Sequence, residues 1–164
     1  MITSLSHLEL CLYRYLQITS RFPIDIKNFT PFLQNYQGDD WKRYTKSIDK
    51  TPLQNQPLSY NKQLIPSSFN RQNYFDTFII CWPPGFASPI HNHAENGCCL
   101  KVLEGSLVET RYHYPSSKPD KTHNQSPFQL IDTTKLNTNC VSFLSNDIGV
   151  HSISNPGVDW AVSL

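Results

Sequence analysis

The stretch that decides the fold is Cys98–Tyr114, CCLKVLEGSLVETRYHY. It consists of two runs in which apolar and polar residues alternate, with Glu104-Gly105 between them. Alternation with a period of two marks a strand that buries one face. Glycine accepts the positive φ of a tight turn, so the two runs are expected to fold back as a hairpin.

The segments that follow and precede this stretch have the same character. FDTFIICW (75–82) is apolar on both faces, as a central strand is. CVSFLS (140–145) and HSIS (151–154) are short strands around NDIGV, and DWAVSL (159–164) is another. YPSSKPDKTHNQSPFQ (114–129) is a loop by composition. Nearer the N-terminus, Leu5, Leu8, Leu12, Tyr15 and Leu16 fall on a helical period, with Ser4 or Ser6 as cap and Phe22-Pro23 as the stop. A shorter helix is expected over Phe29–Tyr36, ended by Gly38. Residues 41–68 are polar, with WKRYTKS read as a solvated face and one or two short strands expected. These elements predict a mainly β chain, a β-barrel or jelly roll with N-terminal helices. One domain over 1–164 is expected, with a helical part at 1–40 and the barrel at 69–164.

Composition narrows the function. The chain has 164 residues and a net charge of +1. Without a basic stripe or an acidic tract, no nucleic-acid partner is expected. The apolar runs are too short to span a membrane as helices, and none is expected to. The N-terminus lacks a basic leader region and carries Glu9 in its apolar part, unlike a signal peptide. Five cysteines without framework spacing predict free thiols and a reducing compartment, and a cytoplasmic protein is expected; a monomer is expected as well. The sequence stops at Leu164 inside an apolar strand pattern, which is expected of a truncated chain or of a complete one with a short last strand.

The chemistry centres on His91 and His93. On a strand that spacing puts both imidazoles on one face, as two legs of a metal site, the other reading being two hydrogen-bonded or exposed histidines. His151, in another short strand and followed by Asn155, is the third candidate. His7, His113 and His123 read as surface residues. Glu95 and Glu104 are the nearest acids, with Glu95 expected in a turn or pointing away. Arg71 offers a planar fork suited to a carboxylate, or a surface ion pair. Trp82 reads as core or pocket wall, and Cys11, Cys81, Cys99 and Cys140 as small buried hydrophobes.

Gly85, five residues, His91-x-His93, four residues, Cys98, six residues, Gly105: this spacing resembles the first motif of the cupin superfamily, where a glutamate usually holds the place of Cys98. His151, three residues, Asn155 resembles the tail of the second motif, although the glycine and proline that normally precede it are out of register. CWPPGFASPIHNHAENGCCLKVLEGSLVET and FLSNDIGVHSISNPGVDWAVSL resemble the thiol dioxygenases, in particular cysteine dioxygenase of the animal type.

The resemblance implies a cupin-type barrel and a function. His91, His93 and His151 would be three ligands of Fe(II). Cys98 would match the catalytic-site cysteine that forms a thioether with a tyrosine near the family's C-terminus. Arg71 would bind the substrate carboxylate, Trp82 would lie near the pocket, and Phe69 would stand where the family often has a tyrosine. Ser163 would open a hydrogen-bonded series that continues in the family with a histidine and the cross-linking tyrosine, both absent from this sequence, so no Cys98–tyrosine thioether of the family type is expected. The implied reaction is oxidation of L-cysteine by O2 to cysteine sulfinic acid, with both oxygen atoms passing to sulfur. Alternatives are a dioxygenase of 3-mercaptopropionate or cysteamine, a three-histidine zinc hydrolase, and a truncated cupin that binds metal without turnover.

Overall fold

The computed structural model describes residues 1–19, 25–46, 59–67, 69, 74–93, 96–114, 128–145 and 147–164. Strands dominate. The helices are α1 (Leu5–Thr19) and α2 (Thr30–Asn35), with single 3-10 turns at Ile26–Phe29 and Asp40–Tyr44. The strands are β1 (Asn61–Leu64), β2 (Phe78–Trp82), β3 (Cys98–Glu104), β4 (Ser106–Tyr112), β5 (Leu130–Asn137), β6 (Val141–Leu144), β7 (Val150–Ser154) and β8 (Ala161–Ser163). They form a sheet of order β1-β2-β8-β3-β6 and a second of order β5-β4-β7, all described pairings being antiparallel.

The core has two parts. Leu5, Leu8, Leu12 and Leu16 form the buried stripe of α1 and pack with Phe29, Leu33, Ile79 and Cys81. Trp82, Val102, Leu107, Leu136, Ile153 and Ala161 fill the space between the sheets. β2 therefore buries Ile79 and Cys81 towards the helices and Trp82 towards the second sheet. Its double-sided apolar sequence matches this central position, since it pairs with β1 on one side and β8 on the other.

Gly105 has the expected positive φ of 77°, but β3 and β4 do not form a hairpin. β3 pairs with β6 and β8, while β4 pairs with β5 and β7. Gly105 is a corner between the sheets. The reason lies in Val102 and Leu107, both fully buried. Splitting the two strands between sheets lets these side chains meet in one core, as a chain that changes sheets at a corner does. β5 was absent from the strand pattern because of its eight residues only Leu136 is buried.

The helices fall close to their expected places. Ser4 Oγ accepts from His7 N at 3.2 Å, so Ser4 rather than Ser6 is the local cap. Asp40, distant in sequence, adds both carboxylate oxygens to Leu5 N at 3.1 and 3.0 Å. α2 ends at Asn35, where Tyr36 turns to extended backbone before Gly38 is reached. Lys101, 1% exposed, donates from Nζ to the carbonyls of Leu33, Gln34 and Tyr36 at the end of α2. The helix end thereby obtains a cation and its orphan carbonyls obtain donors. Phe22-Pro23 lies outside the described residues. None of the described helices is long and apolar enough to cross a membrane.

Candidate metal centre

The centre is built on β7. On one side, β4 pairs with it so that Arg111 lies opposite His151. On its other side runs the segment after β2. Gly85 N donates to Asn155 O (2.8 Å), Ser88 N to Ile153 O (2.9 Å), and His91 and His151 exchange two backbone bonds of 2.9 and 3.0 Å. Asn155 holds the far end of this ribbon by donating from Nδ2 to Trp82 O (2.9 Å) and Asp159 O (2.8 Å). The Pro/Gly-rich stretch thus delivers His91 beside His151 by ordinary ladder bonds, and His93 follows two residues later.

The three imidazoles converge. Their ring centroids are 4.7 to 5.0 Å apart, and one donor atom from each lies within 4.8 Å of the others. The Nε2 atoms of His93 and His151 are 2.9 Å apart. Two nitrogens each about 2.1 Å from one metal ion, at a right angle, would be separated by about 3.0 Å. The donor set therefore fits a shared cation. Tautomers agree with this. His91 Nδ1 donates to Pro89 O at 2.9 Å, and His151 Nδ1 donates to Glu109 Oε1 at 2.8 Å. Each is left with Nε2 as the free donor.

Burial favours the neutral, ligating form. It holds His91 below the ordinary histidine value, aided by His151 and Lys62 and opposed by the Pro89 carbonyl. His93 is pushed down to about 4 by burial and by repulsion from His151, His91 and Lys62. The thiol of Cys98 lies 3.1 Å from His93 Nε2. Burial, Cys99 and Glu109 push it up to about 12, so it is a neutral thiol in the metal-free site.

Glu109 is the acid of this centre, and the sequence reading passed it over for Glu95 and Glu104. Glu104 is exposed at the end of β3, and Glu95 lies outside the described residues. Glu109 is 2% exposed. Its Oε2 accepts from Ser142 Oγ at 2.5 Å and from Arg111 Nη2 at 2.9 Å. Burial alone would raise its carboxyl, and the hydrogen bonds from His151, Ser142 and Arg111 with the Arg111 charge hold it below the usual value. The signal was present in the inward register of β4, where Leu107, Glu109 and Arg111 alternate with outward residues.

A cavity of about 510 Å³ opens onto the histidines. Trp82, Cys98 and Ser163 also line it, and Trp82 Nε1 donates to Ser163 Oγ at 2.9 Å. Phe75 and α1 leucines form its apolar end. Lys62 on β1 lines it as well, with Nζ 3.6 Å from the centroid of the Phe78 ring. It is the cation of the wall among the described residues, and sequence reasoning missed it because β1 is exposed throughout. Phe69 is half-buried but does not line this cavity. Arg71 and His123 lie outside the described residues, while His7 and His113 are exposed. The thiol of Cys99 points elsewhere, donating to Ile26 O at 3.2 Å.

Comparison with known proteins agrees with this arrangement. The family model "Cysteine dioxygenase type I" matches residues 8–164. Cysteine dioxygenase type 1 of Danio rerio is 27% identical over 151 residues, covering 90% of this chain and 67% of the relative. The Rattus norvegicus protein is 26% identical over 144 residues, covering 86% and 64%, and the Homo sapiens protein 25% over 134 residues, covering 80% and 58%. The chain thus spans about two thirds or less of the length of these relatives. Among solved structures, oxalate oxidase in complex with the substrate analogue glycolate superposes with a TM-score of 0.50 at 15% identity, covering 73% of this chain and 53% of that one. That likeness concerns the cupin fold alone. With the family model matching residues 8–164 and three histidines converging in a cupin-type β structure, the chain belongs to the cysteine dioxygenase type I family.

Proposed function

We propose that the chain is a thiol dioxygenase that holds Fe(II) at His91, His93 and His151 and oxidises L-cysteine with O2 to cysteine sulfinic acid. The observation that carries this reading is three imidazole donors meeting at one point beside a cavity with a cation in its wall. Neutral ligands leave a bound divalent ion its full charge, which favours an anionic thiolate as a further ligand. Iron supplies the activation of O2, and the protein supplies position and charge. R–SH and O2 combine to R–SO2H with no outside reductant.

Lys62 is the residue to which we assign the substrate carboxylate, an ammonium point charge on the cavity wall. Arg71 remains a second candidate for that role by family resemblance. Trp82, pinned by Ser163, forms the wall next to the substrate, and Cys98 stands beside the iron ligands. Five free cysteines support a reducing compartment, and we place the protein in the cytoplasm.

The test is oxygen uptake after anaerobic loading with Fe(II), with cysteine sulfinate quantified. Uptake matched by sulfinate and lost in His151→Ala supports the reading. Iron binding without cysteine-dependent uptake overturns it. Substituting Lys62→Met should raise KM for L-cysteine and 3-mercaptopropionate and leave cysteamine, which has no carboxylate, unaffected. A zinc hydrolase would show neither uptake nor this thiol dependence.

A further inference from the structure

We infer that Glu109 is a positioning residue that sets the donor strength of His151 towards the bound metal, and that Ser142 and Arg111 restrain it. This rests on the reading of His151 as a metal ligand. The chain of contacts is continuous. His151 Nδ1 donates to Oε1 of a carboxylate that is almost wholly buried. The other oxygen, Oε2, accepts from Ser142 and from Arg111. The same Arg111 Nη2 lies 2.8 Å from Ser142 Oγ and donates to Phe143 O at 3.0 Å.

The geometry is specific to one imidazole. His91 rests on a neutral backbone carbonyl, whereas His151 rests on an anion. An anion at Nδ1–H increases electron density at Nε2, the atom that faces His93. It also fixes the ring's tautomer and orientation. Glu109 lies diagonally across the β4–β7 ladder from His151, two residues along from Arg111. Ser142 and Phe143 belong to β6, in the other sheet. The carboxylate that faces the ligand is therefore anchored across the sandwich, and its charge is divided between two oxygens with different tasks. Donors on Oε2 withdraw charge from it. Removing one of them should leave Oε1 a stronger acceptor for His151.

That division gives opposite signs for two substitutions. Glu109→Gln retains the shape and an acceptor for His151 but removes the anion. It should weaken Co(II) binding, measured against a competing chelator, by about 10–100-fold, and should move the Fe(III)/Fe(II) midpoint potential upwards. Ser142→Ala removes a donor from Oε2 and leaves the carboxylate in place. It should bind Co(II) at least as tightly as the parent and move the potential downwards. A carboxylate that only braces the two sheets would weaken metal binding in both variants. Equal shifts of one sign, or a Glu109→Gln protein within twofold of the parent in affinity and with an unchanged potential, would overturn the inference. Should Glu109→Gln fail to fold, the sign of the Ser142→Ala shift decides. His151→Ala is the separate control: parental Co(II) affinity in that variant would mean that the metal reading itself is wrong, whatever Glu109 does.

Discussion

The Nε2 atoms of His93 and His151 face each other at 2.9 Å, with Cys98 Sγ 3.1 Å from the His93 nitrogen. Two lone pairs at that distance repel unless a proton or a cation lies between them. Protonation is opposed at His93, whose value is about 4 in the fold against an ordinary 6.5. The arrangement thus has a stability consequence with a definite sign. Below about pH 6.5 the unfolded chain takes up a proton at His93 and the metal-free folded chain does not, so stability falls as pH drops from 6.5 towards 4. In thermal melts of chelated protein, the parent should lose more stability across this window than His93→Gln. Identical pH profiles would show that His93 is not held neutral. A divalent metal should raise Tm at neutral pH, since it binds only the folded site.

Lys101 gives a prediction independent of the metal. Lys101→Met keeps most of the side-chain volume but leaves the last carbonyls of α2 without their buried donor. A loss of about 2 kcal/mol in urea unfolding is expected, with metal affinity within twofold of the parent. A neutral substitution would mean that water satisfies those carbonyls.

Gly105 gives another. Its φ of 77° disfavours any residue with a side chain, and a Cβ there would meet the Cβ of Ala161 at 3.1 Å. Gly105→Ala should destabilise by about 1–2 kcal/mol, visible as a lower urea midpoint with an unchanged slope. A stabilised variant would contradict the corner geometry.

Ser163 is the hydrogen-bond acceptor of Trp82 in a buried pair. Ser163→Ala leaves the indole N–H without its partner, which should lower stability by about 1–3 kcal/mol. If Trp82 forms the wall next to the substrate, KM for L-cysteine should rise more than kcat falls. An unchanged KM would remove Trp82 from the substrate wall.

How much of this was legible in the sequence depends on burial. β2, β6, β7 and β8 were readable because their apolar residues face a core. β5 was not, because seven of its eight residues are exposed. The positive φ at Gly105 was readable, but its use was not. A hairpin and a corner need the same local backbone, and only the long-range pairing of β3 with β8 and of β4 with β7 separates them. His91, His93 and His151 were found by spacing and resemblance, and the fold brings them together. Glu109 lies farther along the chain from His91 and His93 than Glu95 and Glu104 do, and only the β4–β7 pairing brings it to His151. Asp40 at the start of α1 left no local trace, lying 35 residues from Leu5.

The ligand set proposed above is His91, His93 and His151, with no further side chain among the described residues. X-ray absorption at the iron edge of the Fe(II)-loaded, substrate-free protein tests it most directly. Expected are one iron per chain, the scattering pattern of three imidazole rings, and no sulfur bound to the iron. Sub-stoichiometric iron, or a sulfur at about 2.3 Å that disappears in Cys98→Ser, would contradict it.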